Sequence, residues 1–319
     1  MANHFIEVFT ATVPFFQFSL YQMCIMFVFW SCVGWAVEVV TMTIETGEYQ
    51  NRGFLNMPLC PIYGAGVLLV VSLFRPFAHT WILLFFLTAL MCTAFELSVG
   101  LIMEKIFHNR WWDYSMYKFN FKGYICLWTS CGWGIGCVLV IKFVQPFLER
   151  VIAAVPFNAG CAFIALMFVI IMIDTIASIR AAVNLNMKLR KIDELSKLML
   201  KSAQTVGGKL AGATQRVMGA AETAKDAASE KRVEIKDDIV ARYEAIISAR
   251  DAATDRLLNA FPTMRSLHYS EALRILRERH NIKALLKSRF DAKADKTISV
   301  VTESVTDTAP EPTQQKSAE

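Results

Sequence analysis

Residues 151–173 read VIAAVPFNAGCAFIALMFVIIMI and contain no Lys, Arg, Asp or Glu. A helix of about 20 residues crosses the roughly 30 Å hydrocarbon core of a bilayer, because each residue adds about 1.5 Å. Further runs without these charged residues lie at 8–37, 53–74, 76–95 and 123–141. A soluble protein with so many apolar runs in 180 residues would have no polar surface, so the sequence predicts a membrane protein.

The predicted fold class is all-α, a polytopic membrane domain with a long cytoplasmic helical tail. The membrane domain covers residues 1–180, and its five predicted transmembrane helices lie at about 18–42, 58–75, 79–103, 124–147 and 156–180. Residues 181–290 are predicted to form a cytoplasmic helical, coiled-coil-like region, because residues that favour helices dominate its first part. Residues 291–319, rich in Thr, Glu, Asp, Pro and Gln, are predicted to be disordered.

The formal net charge of +5 lies entirely in the polar tail. Residues 1–180 hold 9 of the 33 Lys and Arg residues and 9 of the 28 Asp and Glu residues. The remaining 24 bases and 19 acids lie in residues 181–319. Acids and bases are interleaved in that tail. We therefore expect no nucleic-acid binding, which needs a surface of predominantly positive charge.

The bases in the short connections predict the orientation, because such bases favour the cytoplasmic face. Five spans place the two termini on opposite faces. One face receives only Arg75 and Arg150, whereas the other receives Arg52, Lys105, Arg110, Lys118, Lys122, Arg180, Lys188, Arg190 and Lys191. We expect the N-terminus outside, the tail in the cytoplasm, and the protein in the inner or plasma membrane.

The tail carries a weak coiled-coil pattern. Apolar side chains on a spacing of three to four residues form a narrow stripe, which contains Val233, Val240, Tyr243, Ile247 and Leu257. Gly207-Gly208 is the one break expected before that stripe, and Phe261-Pro262 is expected to end its helix. A basic helix is then predicted at about 270–290, with two alternatives open: it lies on anionic lipid, or it is solvated or docked on the protein itself.

Four acids within or beside the apolar runs need an explanation, namely Glu38, Glu96, Glu104 and Asp174. An unpaired carboxylate in a bilayer costs at least about 2.5 kcal/mol. One compensating environment is a polar cavity that takes a solute, an ion or a proton from the cytoplasm. The other is structural: a salt bridge, for example to Arg52, Arg110 or Lys122, or a protonated carboxyl. Both alternatives stay open from the sequence.

Two predicted cytoplasmic connections differ from ordinary loops. Residues 51–64 read NRGFLNMPLCPIYG, in which prolines and glycines prevent a regular helix. Irregular backbone at membrane depth needs protein or a water-filled cavity around it. Residues 110–115 read RWWDYS, whose adjacent tryptophans suit an anchor among lipid headgroups.

A weak repeat connects these two regions. Each has an acid in a helix, a base in the connection, then a glycine, an aromatic residue and a cysteine that opens the next helix. The loose alignment pairs Arg52-Gly53-Phe54 and Cys60 with Lys122-Gly123-Tyr124 and Cys126. Such a duplication would bring both connections to one vestibule on the cytoplasmic side.

No motif in the chain predicts catalysis, a cofactor or a metal site. The sequence lacks GxxxxGK[ST], HExxH and GxSxG, so we expect no ATP hydrolysis or hydrolase chemistry by this chain. Its eight cysteines fall in or beside apolar runs without a CxxC pair, and we interpret them as small packing residues. An intramembrane enzyme that uses a glutamate as acid or base stays as a third hypothesis, without a visible nucleophile.

Several motifs in order resemble a known family. They are Gly34-Trp35 with Glu38, the segments 51–54 (NRGF) and 60–64 (CPIYG), Phe95-Glu96, residues 110–115 and Phe119-Asn120. Over about residues 18–180 the chain resembles the bacterial CmpB-type, ABC-transporter type IV, permease-like membrane proteins. The resemblance implies a permease subunit without naming its substrate. It also implies that the polar positions of interest are Glu38, Arg52, Glu96, Arg110 and Asp113.

The leading hypothesis is a multi-pass permease-like or transport-associated protein with a polar cavity facing the cytoplasm. Its pathway candidates are Glu38, Arg52, Glu96, Arg110, Asp113 and Asp174. Expected partners are membrane lipid and a separate ATPase subunit or other membrane protein, and a homo-oligomer is an open alternative. The rival hypothesis is a scaffold or regulator that does not transport and recruits partners through its helical tail.

Overall fold

The computed structural model describes residues 2–216, 238, 241–242, 245–246 and 251–278. The chain forms two compact units. The first comprises Met1–Asn186 with Asp251–His268, and the second comprises Met187–Arg250 with Tyr269–Glu319. The polar segment 251–268 therefore belongs to the same unit as the apolar helices, although more than sixty residues separate it from them in sequence.

The described residues are mostly helical. Helices α1 to α9 are, in chain order, Ala2–Thr10, Leu20–Thr46, Pro61–Phe74, Trp81–Phe107, Leu127–Leu139, Gln145–Ala154, Phe157–Arg216, Ala252–Ala260 and Ser270–Arg277. Three antiparallel ladders of two residues per strand add to the predicted all-α fold: β1 (Thr12–Val13) with β2 (Phe18–Ser19), β3 (Asn109–Arg110) with β6 (Arg265–Ser266), and β4 (Asn120–Phe121) with β5 (Ile125–Cys126).

Four described helices are long and apolar enough to cross a membrane, namely Leu20–Thr46, Trp81–Phe107, Leu127–Ala154 and Phe157–Leu198. The third of them is α5 and α6 joined by a π-helical turn at Val140–Val144. The remaining predicted span, at 58–75, is the shorter apolar helix Pro61–Phe77. At about 1.5 Å per residue it extends roughly 25 Å, which is less than the roughly 30 Å core of a bilayer.

The start of α2 shows how local sequence sets a helix boundary. The side chain of Ser19 accepts a hydrogen bond from the backbone N–H of Gln22 at 3.3 Å, and the Gln22 side chain accepts one from the Ser19 N–H at 3.0 Å. This reciprocal pair satisfies donors that a helix start leaves without partners. The helix therefore begins at Leu20, within two residues of the predicted start.

Helix α7 continues well past the predicted end of the last span. It runs from Phe157 to Arg216 without interruption, and its backbone stays helical through Gly207-Gly208. The expected break at this glycine pair is therefore wrong. Glycine lowers helix stability by only about 1 kcal/mol relative to alanine, which strong helix formers on both sides can offset.

The apolar helices pack around one core in the first unit. Met26 and Trp30 of α2 are buried with Val71 of α3, Leu84 of α4 and Ile141 of the π-helical turn. The indole N–H of Trp30 donates to the side-chain oxygen of Gln145 at 3.1 Å, and Gln145 is itself buried. These two polar groups inside the core are thus hydrogen-bonded, as buried polar groups require.

The outer faces of the same helices expose large apolar side chains. Examples from α2, α4 and α7 are Ile44, Ile82, Leu90, Phe168 and Ile173, whose exposed fractions range from 65% to 80%. Water would oppose such a surface, whereas lipid tails suit it. The chain is therefore a membrane protein with an apolar core and an apolar outer surface that suits lipid.

Part of the predicted tail is described. Leu257, the last residue of the predicted stripe, is fully buried in α8, whereas Val233, Val240, Tyr243 and Ile247 lie outside the described residues. The predicted basic helix begins at Ser270 as α9, which is described as far as Arg277 and buries Ala272, Leu273, Ile275 and Leu276. Residues 279–290 and the predicted disordered tail at 291–319 lie outside the described part.

Candidate functional site

The irregular connection after α2 is held by a buried carboxylate. Asp174 on α7 accepts hydrogen bonds from the backbone N–H groups of Asn56 at 3.1 Å and Met57 at 2.8 Å. It also accepts one from the Asn56 side chain at 2.6 Å. These bonds replace the helical hydrogen bonds that prolines and glycines prevent in this segment. Asp174 thus positions the connection, and it lines neither of the two large cavities described below.

An arginine from the tail secures the same connection from the other side. Arg256 of α8 donates to three successive carbonyl oxygens, those of Gly53 at 3.1 Å, Phe54 at 2.8 Å and Leu55 at 2.9 Å. Burial lowers the pKa of Arg256 from its usual value. The three carbonyl dipoles stabilise the partly buried guanidinium, and the guanidinium in turn satisfies carbonyls that have no helical partner.

Glu38 forms an ion pair at the centre of this arrangement. Its carboxylate lies 3.2 Å from the guanidinium of Arg52 and accepts a hydrogen bond from the hydroxyl of Tyr63 at 2.6 Å. Arg52 also donates to the carbonyl oxygen of Ala260 at 2.9 Å. This chain of contacts joins α2, the connection, α3 and α8.

Glu96 on α4 has a different environment. It is only 6% exposed, and its two oxygens accept hydrogen bonds from neutral groups, the Tyr114 hydroxyl and the Trp133 indole, each at 3.1 Å. Among the described residues, no base lies within ion-pair distance of this carboxylate. A buried carboxylate without a counter-charge is costly, and these two neutral donors reduce that cost.

The second connection, between α4 and α5, also joins the tail. Strand β3 pairs with β6, with Asn109 opposite Ser266 and Arg110 opposite Arg265. The carboxylate of Asp113 accepts hydrogen bonds from Ser115 and, at 2.9 Å, from Arg265. Partial burial raises the pKa of Asp113, but these hydrogen bonds and the charge of Arg265 outweigh it, so the pKa lies below its usual value.

Arg110 belongs to a polar group beside this connection. Its guanidinium lies 2.9 Å from the carboxylate of Glu104 and 4.1 Å from the centre of the Tyr124 ring. The hydroxyl of Tyr124 donates to the same carboxylate at 2.7 Å. Arg110 is therefore paired with Glu104, and it lines neither large cavity.

The two adjacent tryptophans have different positions. Trp111 is 2% exposed and packs against the rings of Phe54, Phe107 and Phe261, so the expected headgroup anchor is wrong for this residue. Two of these neighbours, Phe54 and Phe261, come from distant parts of the chain, which the local sequence does not reveal. Trp112 donates its indole N–H to the carbonyl of Tyr124 at 2.9 Å and lines both large cavities.

A cavity of about 450 Å³ brings these groups together. Glu38, Arg52 and Glu96 line it, with a wall that is otherwise mostly aromatic and aliphatic. Phe261 and Thr263, from the segment after α8, complete the wall. A second cavity of about 560 Å³ shares part of the first lining, namely Glu38, Arg52, Tyr63, Trp112, Tyr114, Trp133 and Thr263.

This arrangement of buried acids and irregular connections lies in the part of the chain that a family model recognises. Residues 25–179 match the family described as putative ABC-transporter type IV. The match confirms, over this part of the chain, the resemblance that the motifs suggested. No curated protein and no solved structure matches the chain. The tail segment 251–268 lies outside the match, although it completes the cavity wall.

The structure separates the candidate residues into groups. Glu38, Arg52 and Glu96 share the first cavity, and Asp113 lines only the second. Arg110 and Asp174 support the connections instead. Within the described residues, no group of three or more His, Cys, Asp or Glu side chains is arranged to hold a metal ion.

The sequence did not reveal several residues of the site. Tyr63 lies in the quoted proline-rich segment, and Tyr114 and Trp133 lie near Glu96 in space but at 18 and 37 residues along the chain. Arg256 and Phe261 come from a polar tail whose composition predicts no contact with a membrane domain. A tyrosine or tryptophan in an apolar run that also holds an acid is the one local signal available, because a buried carboxylate needs donors.

Proposed function

We propose that this protein is a multi-pass, permease-like component of a transport system, in which a solute enters the cavity between α2, α3, α4 and α5. One observation supports this most directly. Glu96 is almost fully buried on the wall of a cavity of about 450 Å³, and the hydrogen bonds it receives from the described residues come from two neutral donors. Ionisable residues within membrane helices commonly mark the path of an ion or solute.

The proposed topology has five spans, with the N-terminus outside and the tail in the cytoplasm. The tail segment 251–268 contacts the connection after α2 through Arg52 and the connection after α4 through Asp113. These contacts require both connections and the tail to lie on one side of the membrane. That condition is met when Pro61–Phe77 also crosses, which supports five spans rather than four. Bases in short connections favour the cytoplasmic face of an inner or plasma membrane. We therefore propose that the two connections and the tail lie in the cytoplasm.

Energy for transport would come from a separate partner. The sequence contains no nucleotide-binding loop of the GxxxxGK[ST] type. A transport system of the ABC kind couples its membrane component to a distinct ATPase subunit or domain, and we propose such a partner on the cytoplasmic side. Lipid would contact the exposed apolar faces of α2, α4 and α7.

Complementation with matched variants tests this proposal. A strain that lacks the gene would express wild type, Glu96→Gln, Glu38→Gln or Glu104→Gln at equal membrane levels, and growth and uptake would be compared over a panel of solutes. Glu104→Gln is the control, because Glu104 has the same kinds of partners as Glu38 but lines neither large cavity. We expect Glu96→Gln and Glu38→Gln to abolish complementation and Glu104→Gln to retain it.

If all three variants complement as well as wild type does, the transport proposal fails. If Glu104→Gln fails together with the other two, the acids are needed for folding rather than for a pathway. Membrane levels and thermal stability, measured on the same samples, separate these results.

A further inference from the structure

The charges on the wall of the first cavity do not balance. Glu38 and Glu96 are its acids, and Arg52 is its one base among the described lining residues. Arg52 already contacts the Glu38 carboxylate at 3.2 Å and the Ala260 carbonyl at 2.9 Å. With both acids ionised the wall carries one uncompensated negative charge, and that charge lies on Glu96.

The rest of the wall consists largely of aromatic rings. The lining includes the rings of Phe54, Tyr63, Phe95, Trp112, Tyr114 and Trp133. The face of an aromatic ring attracts a cation, most strongly for tryptophan, and the attraction increases where water is excluded. Tyr63 and Trp133 lie edge to face, with their ring centres 5.0 Å apart. A wall of this kind offers apolar contact and negative potential together.

We propose that this cavity binds an organic cation, an ammonium group that carries alkyl or aryl substituents, with its charge beside Glu96 and its apolar body against the aromatic rings. The inference rests on the proposed function and gives its substrate class. A cavity of about 450 Å³ is within the range of roughly 300–1,000 Å³ that is usual for small-molecule sites.

Other ligand classes fit this wall less well. An anion would need a free base, but Arg52 is engaged by Glu38. A neutral solute would leave the charge of an ionised Glu96 uncompensated. An inorganic cation such as Ca²⁺ would need about six to eight oxygen ligands, and the described residues provide no group of three or more candidate metal-binding side chains.

Equilibrium binding to the full-length protein in lipid nanodiscs tests the inference without a transport assay. The probe is benzyltrimethylammonium, with neopentylbenzene as its neutral isostere and benzenesulfonate as an anion of similar size. Isothermal titration calorimetry should show saturable binding of the cation and at least about tenfold weaker binding of the other two. Weaker binding of the neutral isostere is expected because it cannot pair with Glu96.

Three variants separate the effect of the charge from the effect of the aromatic wall. Glu96→Gln should weaken binding of the cation at least about tenfold, because it removes the charge and keeps the size of the side chain. Glu45→Gln should change binding less than about twofold, because Glu45 is an exposed acid on the second cavity. Trp133→Leu should also weaken binding, because it removes a ring that lines the cavity.

The inference is overturned if wild type shows no saturable binding of the cation, if the isostere or the anion binds as tightly, or if Glu96→Gln binds like wild type. Failure of binding together with loss of complementation in Glu96→Gln would refute the substrate class and leave the proposed function standing. Cation binding together with full complementation by Glu96→Gln would refute the transport role and leave the binding site standing.

Discussion

Glu38 and Glu104 are equivalent residues in two similar helical hairpins. Each accepts a hydrogen bond from an arginine in the following connection and from a tyrosine near the start of the next helix. Each lies four residues after a glycine, Gly34 or Gly100, against which that tyrosine packs. A Cβ at Gly34 would overlap the Tyr63 ring, whereas a Cβ at Gly100 would make tight contacts with Trp112 at 3.2 Å and Tyr124 at 3.3 Å. The two acids differ in position, because Glu38 lines both large cavities and Glu104 lines neither.

This relationship corrects the alignment of the two connections that the sequence favours. The structural counterpart of Arg52 is Arg110 rather than Lys122, because Arg52 and Arg110 pair with the equivalent acids. Lys122 instead accepts a hydrogen bond from Arg110 through its backbone carbonyl, at 2.8 Å. The repeat is visible in contacts although its spacing along the chain differs.

The two acids should contribute similarly to stability and differently to function. Glu38→Gln and Glu104→Gln each remove one charge from an ion pair and keep the tyrosine contact, so we expect each to lower the free energy of unfolding by about 1–3 kcal/mol. Thermal unfolding in nanodiscs measures this. A loss confined to Glu38→Gln would mean that the two hairpins are not equivalent in energy.

Arg256 should be the main anchor of the segment 251–268. Arg256→Gln removes hydrogen bonds to three carbonyls, and we expect α8 to detach at a cost of at least about 2 kcal/mol. Limited proteolysis should then cleave this segment at least about tenfold faster than in wild type. The matched control is Arg274→Gln, whose guanidinium pairs with acids on an exposed helix face. Equal cleavage rates for Arg256→Gln and wild type would contradict the anchoring role.

Much of the helical framework follows from the sequence, because apolar runs must be helical in lipid. The Ser19 and Gln22 capping box and the charge boundaries place α2 close to its predicted limits. The role of Asp174 was not predictable, since its partners at Asn56 and Met57 are more than a hundred residues away. Arg256 was not predicted either, because its hydrogen-bond acceptors are backbone carbonyls, which carry no sequence signal.

Asp174 should act through the shape of the connection. Asp174→Asn replaces a carboxylate oxygen by an amide donor, which leaves the backbone N–H of Asn56 or Met57 without an acceptor. A loss of about 1–3 kcal/mol in unfolding free energy is expected. Ser178→Ala is a milder control, because the Ser178 hydroxyl lies 3.5 Å from the same carboxylate. A smaller effect for Asp174→Asn than for Ser178→Ala would show that the carboxylate does not hold the connection.

The contact between Asp113 and Arg265 predicts a pH dependence at acid pH. The folded-state pKa of Asp113 lies below its usual value of 3.8, so its contribution is present above the unfolded value and is lost as the pH falls through the folded one. Unfolding measured from about pH 7 to about pH 3 should show a larger loss for wild type than for Asp113→Asn. Parallel curves for the two proteins would remove Asp113 as a source of that dependence.

Two truncations distinguish a transport core from a scaffold. A chain that ends at residue 278 keeps Phe261 and Thr263 in the cavity wall, whereas a chain that ends at residue 216 loses them. We expect the longer truncation product to complement and the shorter one to fail. The shorter product should also have a melting temperature several degrees below that of the full chain. Loss of complementation by the longer product, with wild-type stability, would favour the scaffold hypothesis instead.

Reactivity of a single cysteine introduced at position 65 tests the central claim most directly. Ala65 lines the first cavity, and Ala65→Cys would be made in a protein whose eight native cysteines are replaced. We predict that the introduced thiol reacts with water-soluble methanethiosulfonates. After correction for intrinsic rates, the cationic trimethylammonioethyl reagent should react faster than the anionic sulfonatoethyl reagent. Glu96→Gln should remove this preference. The control is Glu48→Cys in the same cysteine-free background, because Glu48 is exposed. If the thiol of Glu48→Cys reacts but the thiol of folded Ala65→Cys is protected from both reagents, the account is contradicted.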